Sequence, residues 1–170
     1  MYPASPSQAA LTAARVRPVT AADVPALKAV IDSTGLFPSA LLDGMIAGYL
    51  DGSDADARWL TVAGDDGAPV AVAYAAPERF TDGTWNLYLI AVRADRQGAG
   101  VGGALLRHVE GALAAGGARV LLVETSGLPA FARTRGFYHG AGYAEEARIR
   151  DFYTAGEDKV VFWKALAPGG

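Results

Sequence analysis

Residues 90–105 read IAVRADRQGAGVGGAL, the most informative stretch of the chain. An apolar strand ending at Val92 enters a loop of small residues, Gly98–Gly103, which continues directly into a helical pattern. Small residues let a ligand approach the backbone closely. The unpaired N–H groups of the first helical turn, together with the helix dipole, favour an anion such as a phosphate or pyrophosphate. A plain turn needs only one or two glycines, so we predict an anion-binding loop.

The sequence before this loop predicts two helices followed by an antiparallel meander. Thr20 is a good helix N-cap, with Asp23 three residues later as a capping-box partner, and Gly35 ends the first helix. A short strand precedes this helix, and a second helix and three strands joined by short turns follow it. These elements are predicted at Arg15–Val19, Pro38–Leu50, Arg58–Ala63, Pro69–Ala76 and Thr84–Val92.

The sequence after the loop returns to an alternation of helices and strands. The predicted elements are a helix at Val101–Ala115, a strand at Ala118–Thr125, a helix at Leu128–His139, and strands at Ala144–Phe152 and Lys159–Leu166. Together they indicate one α/β (α+β) domain over residues 14–167, with a mixed, mostly antiparallel sheet of about six or seven strands. Residues 1–13, rich in Ala, Pro and Ser, are expected to form a flexible tail.

Composition excludes several classes of function. The chain has 170 residues and a net charge of −3, which argues against a strongly basic nucleic-acid-binding protein. It has no cysteine, which excludes thiolate nucleophiles and Cys-ligated zinc, and its two histidines argue against a His-based metal site. Its apolar runs are of strand length, and no targeting segment is visible. We therefore expect a cytoplasmic protein with no metal, no nucleic-acid partner and no membrane partner.

The glycine loop also matches a dinucleotide-binding pattern. Gly98–Gly103 fits G-x-G-x-x-G, and Glu124 follows about 20 residues later, at the end of the next strand. However, Arg93–Gln97 separates the strand from the glycines, the preceding strands look antiparallel, and no repeated βα units follow. A nucleotide-dependent oxidoreductase is therefore the weaker interpretation of this loop.

A second match extends over nearly the whole chain. Gln97-x-x-Gly100-x-Gly102, after a strand ending Ile90-Ala91-Val92, resembles the acyl-CoA signature of the GNAT-type N-acyltransferase superfamily. The run Gly136-Phe137-Tyr138-x-x-x-Gly142-Tyr143 resembles the second landmark of that family, and residues 150–159 resemble its closing hairpin. The order of elements from Arg15 to Leu166 also follows the family. The resemblance implies a splayed central cleft in the sheet, with helices on both faces.

The resemblance implies acetyl-CoA or another acyl-CoA as the acyl-donor co-substrate. Its pantetheine arm would pair with the backbone of Ile90, Ala91 and Val92, in a cleft between Thr84–Val92 and Ala118–Thr125. The N–H of Val92 would stabilise the oxyanion of the reaction. The pyrophosphate would lie on the loop amides of Gln97, Gly98, Ala99, Gly100, Val101, Gly102 and Gly103.

Tyr138 stands where the family commonly places the general acid that protonates the leaving CoA thiolate. The alternative is an aromatic side chain that packs in the core or against the cofactor. Family members also often carry an Asn before the aromatic pair, to bind pantetheine, but the segment Phe131–Thr134 has none. Ser126 or Thr134 is a candidate substitute for that Asn.

The general base is less clearly marked in the sequence. Family members often carry an acidic residue on the central strand, but neither face of Thr84–Val92 has a carboxylate. Glu78, in the preceding connection, is the first candidate, and Glu124 is the second. A water held by Asn86 or Tyr88 is a third option, and a solvated surface carboxylate is the alternative for either Glu.

The sequence therefore indicates an N-acetyltransferase that acts on a primary amine, most simply of a small molecule. A protein amine as acceptor and a non-catalytic acyl-CoA sensor are the alternatives. The final strand often builds dimer contacts in such folds, so a homodimer is a further hypothesis, with Phe162 and Trp163 as exposed contact candidates.

Overall fold

Seven strands and four α-helices occur in the part of the chain that the computed structural model describes, which is Thr12 and residues 15–167. The predicted tail over residues 1–13 lies, except for Thr12, outside the described residues. The elements are β1 Val16–Pro18, α1 Val24–Thr34, α2 Leu42–Leu50, β2 Arg58–Ala63, β3 Pro69–Pro77, β4 Thr84–Val92, α3 Val101–Ala115, β5 Val120–Ser126, α4 Ala132–Gly140, β6 Ala144–Thr154 and β7 Glu157–Ala165.

The strands form a mixed sheet in the order β1-β2-β3-β4-β5-β7-β6. β4 and β5 are parallel, whereas β1–β2, β2–β3, β5–β7 and β6–β7 are antiparallel. This confirms the predicted mixed, mostly antiparallel sheet.

The chain forms two compact units. The first unit comprises the described residues up to Ala75 together with Leu89–Val109, and the second comprises Ala76–Tyr88 together with the described residues from Glu110 onward.

The core of the first unit is built on amphipathic helices. Leu27, Val30 and Ile31 repeat with helical spacing on α1 and are fully buried. Trp59 of β2 is buried beside them and stacks on Tyr74, with ring centroids 4.3 Å apart and planes 8° apart. The same cluster contains Val19, Leu42, Ile46, Ala57, Val72, Leu89 and Ala91.

The core of the second unit is formed by β5, β7 and an aromatic cluster. The β5–β7 ladder runs from Val120↔Ala165 to Ser126↔Lys159. Phe162 of β7 is 0% exposed and packs against the Tyr138 ring, at a centroid distance of 5.5 Å. The hypothesis that Phe162 is an exposed dimer contact is therefore wrong. Strand alternation explains this, because Phe162 shares the inward face with Val160, while Trp163 on the other face remains 38% exposed.

The N-terminus of α1 is fastened to β1 by a charged cap. The backbone N–H of Thr20 donates to Asp23 Oδ2 at 2.8 Å, as expected for a capping box. The Arg17 guanidinium donates to both oxygens of Asp23, at 2.7 and 2.8 Å. The hydrogen bonds from Arg17 and Thr20 outweigh the effect of burial and lower the pKa of Asp23 to about 2.

We predict that Asp23→Asn lowers the free energy of unfolding at pH 7 by about 1–2 kcal/mol, because the ionised carboxylate is stabilised only in the folded chain. Because Arg17 is partly exposed to solvent, the expected loss of stability is smaller than the free energy that corresponds to the whole pKa shift of Asp23. A lowered pKa gives stability that is complete above pH 4 and is lost toward pH 2. In urea unfolding, the difference in free energy of unfolding between the wild type and the variant should therefore be largest at pH 7 and become smaller at pH 4 and again at pH 3. Asp65→Asn, which breaks the exposed Arg15–Asp65 pair, is the control and should change little.

Candidate active site

The loop after β4 is fixed by its own side chains. The Arg93 guanidinium pairs with the Asp95 carboxylate, with Nε 2.6 Å from Oδ1. The Gln97 side chain turns back and donates from Nε2 to the carbonyl oxygen of Val92 at 3.0 Å. Gln97, the first residue of the predicted signature, therefore ties the loop to the end of the strand from which the loop departs.

Two glycines give the loop its shape. Gly98 and Gly100 have φ values of 79° and 81°, in the left-handed region that other residues rarely adopt. A Cβ atom at either position would meet no atom within 4 Å, so the glycine is required by the backbone angle and not by packing. The first bond of the α3 ladder runs from the N–H of Ala104 to the carbonyl oxygen of Gly100, at 3.0 Å. The amides of residues 101–103 therefore have no acceptor within α3 and fit an anion.

We predict that Gly100→Ala weakens acetyl-CoA binding and lowers the free energy of unfolding by about 1 kcal/mol, because alanine resists a φ of 81°. Gly111→Ala is the matched control on α3. It also meets no atom within 4 Å but has no positive φ, so it should stabilise the protein by about 0.5–1 kcal/mol. Calorimetric titration and urea unfolding measure both effects. Equal behaviour of the two variants would contradict this account of the loop.

Tyr138 lies inside the aromatic cluster of the second unit. It is 3% exposed, and its ring contacts Phe137, Tyr143 and Phe162 at centroid distances of 5.2, 5.7 and 5.5 Å. Its hydroxyl has no hydrogen-bond partner among the described residues. Burial raises the pKa of Tyr138 well above its usual value. The side chain is therefore a fixed, protonated phenol whose hydrogen remains available to a ligand.

A half-buried polar network supports the position of Tyr138. The Tyr143 hydroxyl donates to Glu110 Oε1 at 2.9 Å, and the Lys164 ammonium donates to Glu110 Oε2 at 2.9 Å. The backbone N–H of Tyr143 donates to the carbonyl oxygen of Tyr138 at 3.0 Å. Burial and the charge of Glu110 raise the pKa of Tyr143. Sequence analysis missed Glu110 and Lys164, because no local pattern joins residues 54 positions apart.

The structure brings together three residues that the sequence offered as separate options for the base. Glu78 Oε1 accepts hydrogen bonds from Asn86 Nδ2 at 2.9 Å and from the Tyr88 hydroxyl at 3.1 Å. The Glu78 backbone is anchored as well, because its N–H donates to the carbonyl oxygen of Thr84 at 2.8 Å. The Thr81 hydroxyl donates to the Glu78 carbonyl oxygen, also at 2.8 Å. The Glu78 carboxylate is therefore fixed by hydrogen bonds to the protein and is not freely solvated.

Glu124 has a different environment. The parallel β4–β5 ladder runs from Thr84↔Val120 to Leu87↔Val123, and Glu124 is the next residue of β5. Its Oε1 accepts a bond at 3.1 Å from the ammonium of Lys159, which also lies 3.8 Å from the centroid of the Phe152 ring. Glu124 is thus part of an ion pair, whereas Glu78 accepts from two uncharged donors.

The candidate substitutes for the pantetheine-binding Asn are less well supported. The Ser126 hydroxyl already accepts a bond from the backbone N–H of Leu128 at 3.2 Å. Arg135 donates to the carbonyl oxygens of Ser126 and Leu128 at 2.7 and 2.9 Å, which fixes this turn.

Within residues 15–167 and Thr12, no group of three or more His, Asp or Glu residues could hold a metal ion. No helix in this part of the chain has both the length and the apolar character needed to cross a bilayer.

Comparison with known proteins gives a consistent assignment. The family model described as Acetyltransferase (GNAT) domain matches residues 56–145. A GNAT-family structure from Desulfovibrio desulfuricans is 32% identical, has a TM-score of 0.83, and is matched over 89% of this chain and 98% of that chain. A search of curated proteins found no match.

Two further structures share the fold at lower identity. The ribosomal-protein-S18-alanine N-acetyltransferase of Escherichia coli is 21% identical, with a TM-score of 0.72 over 91% of this chain and 95% of that chain. An aminoglycoside 6'-N-acetyltransferase complexed with coenzyme A is 14% identical, with a TM-score of 0.71 over 91% of this chain and 98% of that chain. At these identities the likeness concerns the fold alone.

The sheet, the glycine loop and the family match define an acyl-CoA-dependent N-acyltransferase. The chain belongs to the GNAT acetyltransferase family, because the family model covers more than half of its residues and the Desulfovibrio structure is matched over most of both chains. The predicted resemblance is confirmed, and the dinucleotide interpretation of residues 98–103 is wrong. The glycines lie in a single parallel βαβ unit, β4–α3–β5, which does not continue as a series, because β5 pairs next with the antiparallel strand β7.

Proposed function

We propose that this protein transfers an acetyl group from acetyl-CoA to the primary amine of a small molecule, by direct attack of the amine on the thioester. The observation that carries the proposal is the loop Gln97–Gly103. Its left-handed glycines and the amides of residues 101–103 suit the pyrophosphate of a CoA molecule. The backbone of Ile90, Ala91 and Val92 would hold the pantetheine arm. Acetyl-CoA supplies the activated thioester, and no metal takes part in this scheme.

Glu78 is the proposed general base. Both donors, Asn86 and Tyr88, bind its Oε1, so its Oε2 is left to receive a proton. An amine attacks a thioester only when it is neutral, and a carboxylate within hydrogen-bond reach removes the proton as the C–N bond forms.

Tyr138 is the proposed general acid. The C–S bond breaks when the tetrahedral intermediate collapses, and the electron pair passes to the sulfur of CoA. The Tyr138 hydroxyl, which has no partner among the described side chains, donates its hydrogen to that sulfur. A phenol is protonated throughout the neutral range, and burial, which raises the pKa of Tyr138, makes it a weaker acid than a solvent-exposed tyrosine. The phenolate left by the transfer takes a proton back from solvent before the next turnover. The backbone N–H of Val92 is the proposed donor to the oxyanion.

The experiment is calorimetric titration of acetyl-CoA followed by thiol release in the same sample, against benzylamine, spermidine, an aminoglycoside and an alanine-terminated peptide. We expect binding together with amine-dependent release of CoA. Tyr138→Phe should lower kcat on the order of 100-fold and keep acetyl-CoA affinity, because it removes only the proton donor. Glu78→Gln should lower kcat/KM similarly.

Tyr143→Phe is the matched control for Tyr138→Phe. It removes a hydroxyl of the same cluster, and should lower the free energy of unfolding by about 1–3 kcal/mol while the folded fraction keeps most of its turnover. Equal loss of acetyl-CoA affinity and kcat in Tyr138→Phe would mean that Tyr138 packs the co-substrate. If only the peptide were acetylated, the acceptor would be a protein amine and not a small molecule. Binding without release on any amine would favour a sensor, and no binding would overturn the proposal.

We also propose that the protein is a homodimer joined at β6. This strand is at the end of the sheet order, and every residue of Ala144–Thr154 is exposed. A long exposed edge strand is a site for pairing with another chain. β6 carries side chains of both charge signs, among them Glu146, Arg148 and Arg150, so a second copy of the strand offers oppositely charged partners. Sedimentation at micromolar concentration should give twice the mass of the chain, and a monomer would contradict this proposal.

A further inference from the structure

Asn86 is an unusual residue for the middle of a buried strand. It is 1% exposed and lies in register with Leu122 of the parallel strand β5. We infer that Asn86 is a positioning residue for Glu78, present for the reaction and not for the stability of the fold. This inference rests on the proposed function, because it takes Glu78 as the group that accepts the proton of the amine.

The hydrogen bond to Glu78 fixes the orientation of the Asn86 side chain. An ionised carboxylate can only accept, so the amide nitrogen must face Glu78 Oε1, at a distance of 2.9 Å. The amide oxygen then points the other way. This Oδ1 atom is buried and has no hydrogen-bond partner in the described structure. One end of the side chain therefore serves Glu78, and the other end is an unpaired acceptor.

An unpaired buried acceptor destabilises a fold, whereas an apolar side chain of similar size would avoid the loss of hydration. Glu78 is only half-buried, so water could replace the lost donor if Asn86 were apolar. The fold alone would therefore favour an apolar residue at this position. Thr61 of β2 shows the ordinary solution, because it is fully buried and its hydroxyl donates to the carbonyl oxygen of Ala71 at 2.7 Å.

The benefit of Asn86 is the fixed direction of the Glu78 carboxylate. Asn86 holds Oε1 from the interior, and Tyr88, two residues along the same strand face, binds the same oxygen from the exposed side. Oε2 is then directed to the acceptor. In the reaction step that this orientation favours, Glu78 Oε2 takes a proton from the amine nitrogen as the C–N bond forms. The C–S bond breaks, and the sulfur takes a proton from Tyr138.

The test compares Asn86→Leu, Asn86→Asp and Thr61→Val with the wild type. The measurements are the urea midpoint and the pH profile of kcat/KM, on whichever amine of the panel the wild type acetylates. We expect Asn86→Leu to keep or raise the urea midpoint, to lower kcat/KM by about 10-fold or more, and to change the pH profile, because the carboxylate loses the donor that orients it. Asn86→Asp should change the profile as well, since it replaces that donor with a second carboxylate beside Glu78.

Thr61→Val should lower the urea midpoint and leave the pH profile unchanged, as expected for a buried polar group with only a structural role. In a Glu78→Gln background, Asn86→Leu should lower kcat/KM by less than about 3-fold, because it then has no carboxylate to hold. A lower urea midpoint for Asn86→Leu with an unchanged profile would overturn the inference and leave the proposed function intact. Failure of the wild type to acetylate any amine would overturn the proposed function, and the inference with it.

Discussion

The parallel pairing of β4 with β5 is the constraint on which the site depends. Two parallel strands cannot be joined by a tight turn, so the chain must leave β4, cross over and return in the same direction. Here the crossover is α3, and its first turn follows directly after the loop that leaves Val92. The pairing continues for only four residue pairs, from Thr84↔Val120 to Leu87↔Val123. The crossover thus places helix amides after β4, and the ladder ends just before Tyr88 and Glu124.

The second unit fixes its candidate acid with a half-buried ion pair beside it. Tyr138 is held only by packing, because its hydroxyl has no partner among the residues described. Its backbone carbonyl oxygen, however, accepts from Tyr143, whose hydroxyl binds a carboxylate that is in turn paired with Lys164. Burying that ion pair is costly unless its hydrogen bonds are made, and Lys164 makes a further bond to the carbonyl oxygen of Ala141. The network therefore gives the phenol a fixed place without touching its hydroxyl.

Local patterns predicted the elements that build the loop. Strand Thr84–Val92 and helix Val101–Ala115 have the predicted bounds, because their apolar periodicity and the glycines between them are signals within a few residues. The capping box at Thr20 and the helix end at Gly35 were predicted for the same reason. The sequence also predicted the family, since its motifs lie on these elements.

What the sequence could not predict was set by contacts between distant residues. Phe162 was expected to be exposed, but the partner that covers it, Tyr138, is on another element. Glu78 was the first candidate for the base and Glu124 the second, with no local sign of which side chains would pair with either carboxylate. Their difference arises from Lys159, 35 residues from Glu124, which pairs with one carboxylate and leaves the other to Asn86 and Tyr88. Local sequence reports propensity, whereas the identity of a charge partner depends on the register of the whole sheet.

The same reasoning explains why the loop needs small residues. Arg93, the cation that follows β4, is paired with Asp95 and is not free to attract an anion. Arg96 carries a second positive charge of this loop, and the backbone amides add dipoles that act only over short distances. A ligand held in this way must touch the backbone, and side chains at residues 98–103 would keep it away. Glycine here serves two needs at once: the left-handed angles at 98 and 100, and the close approach that amide recognition requires.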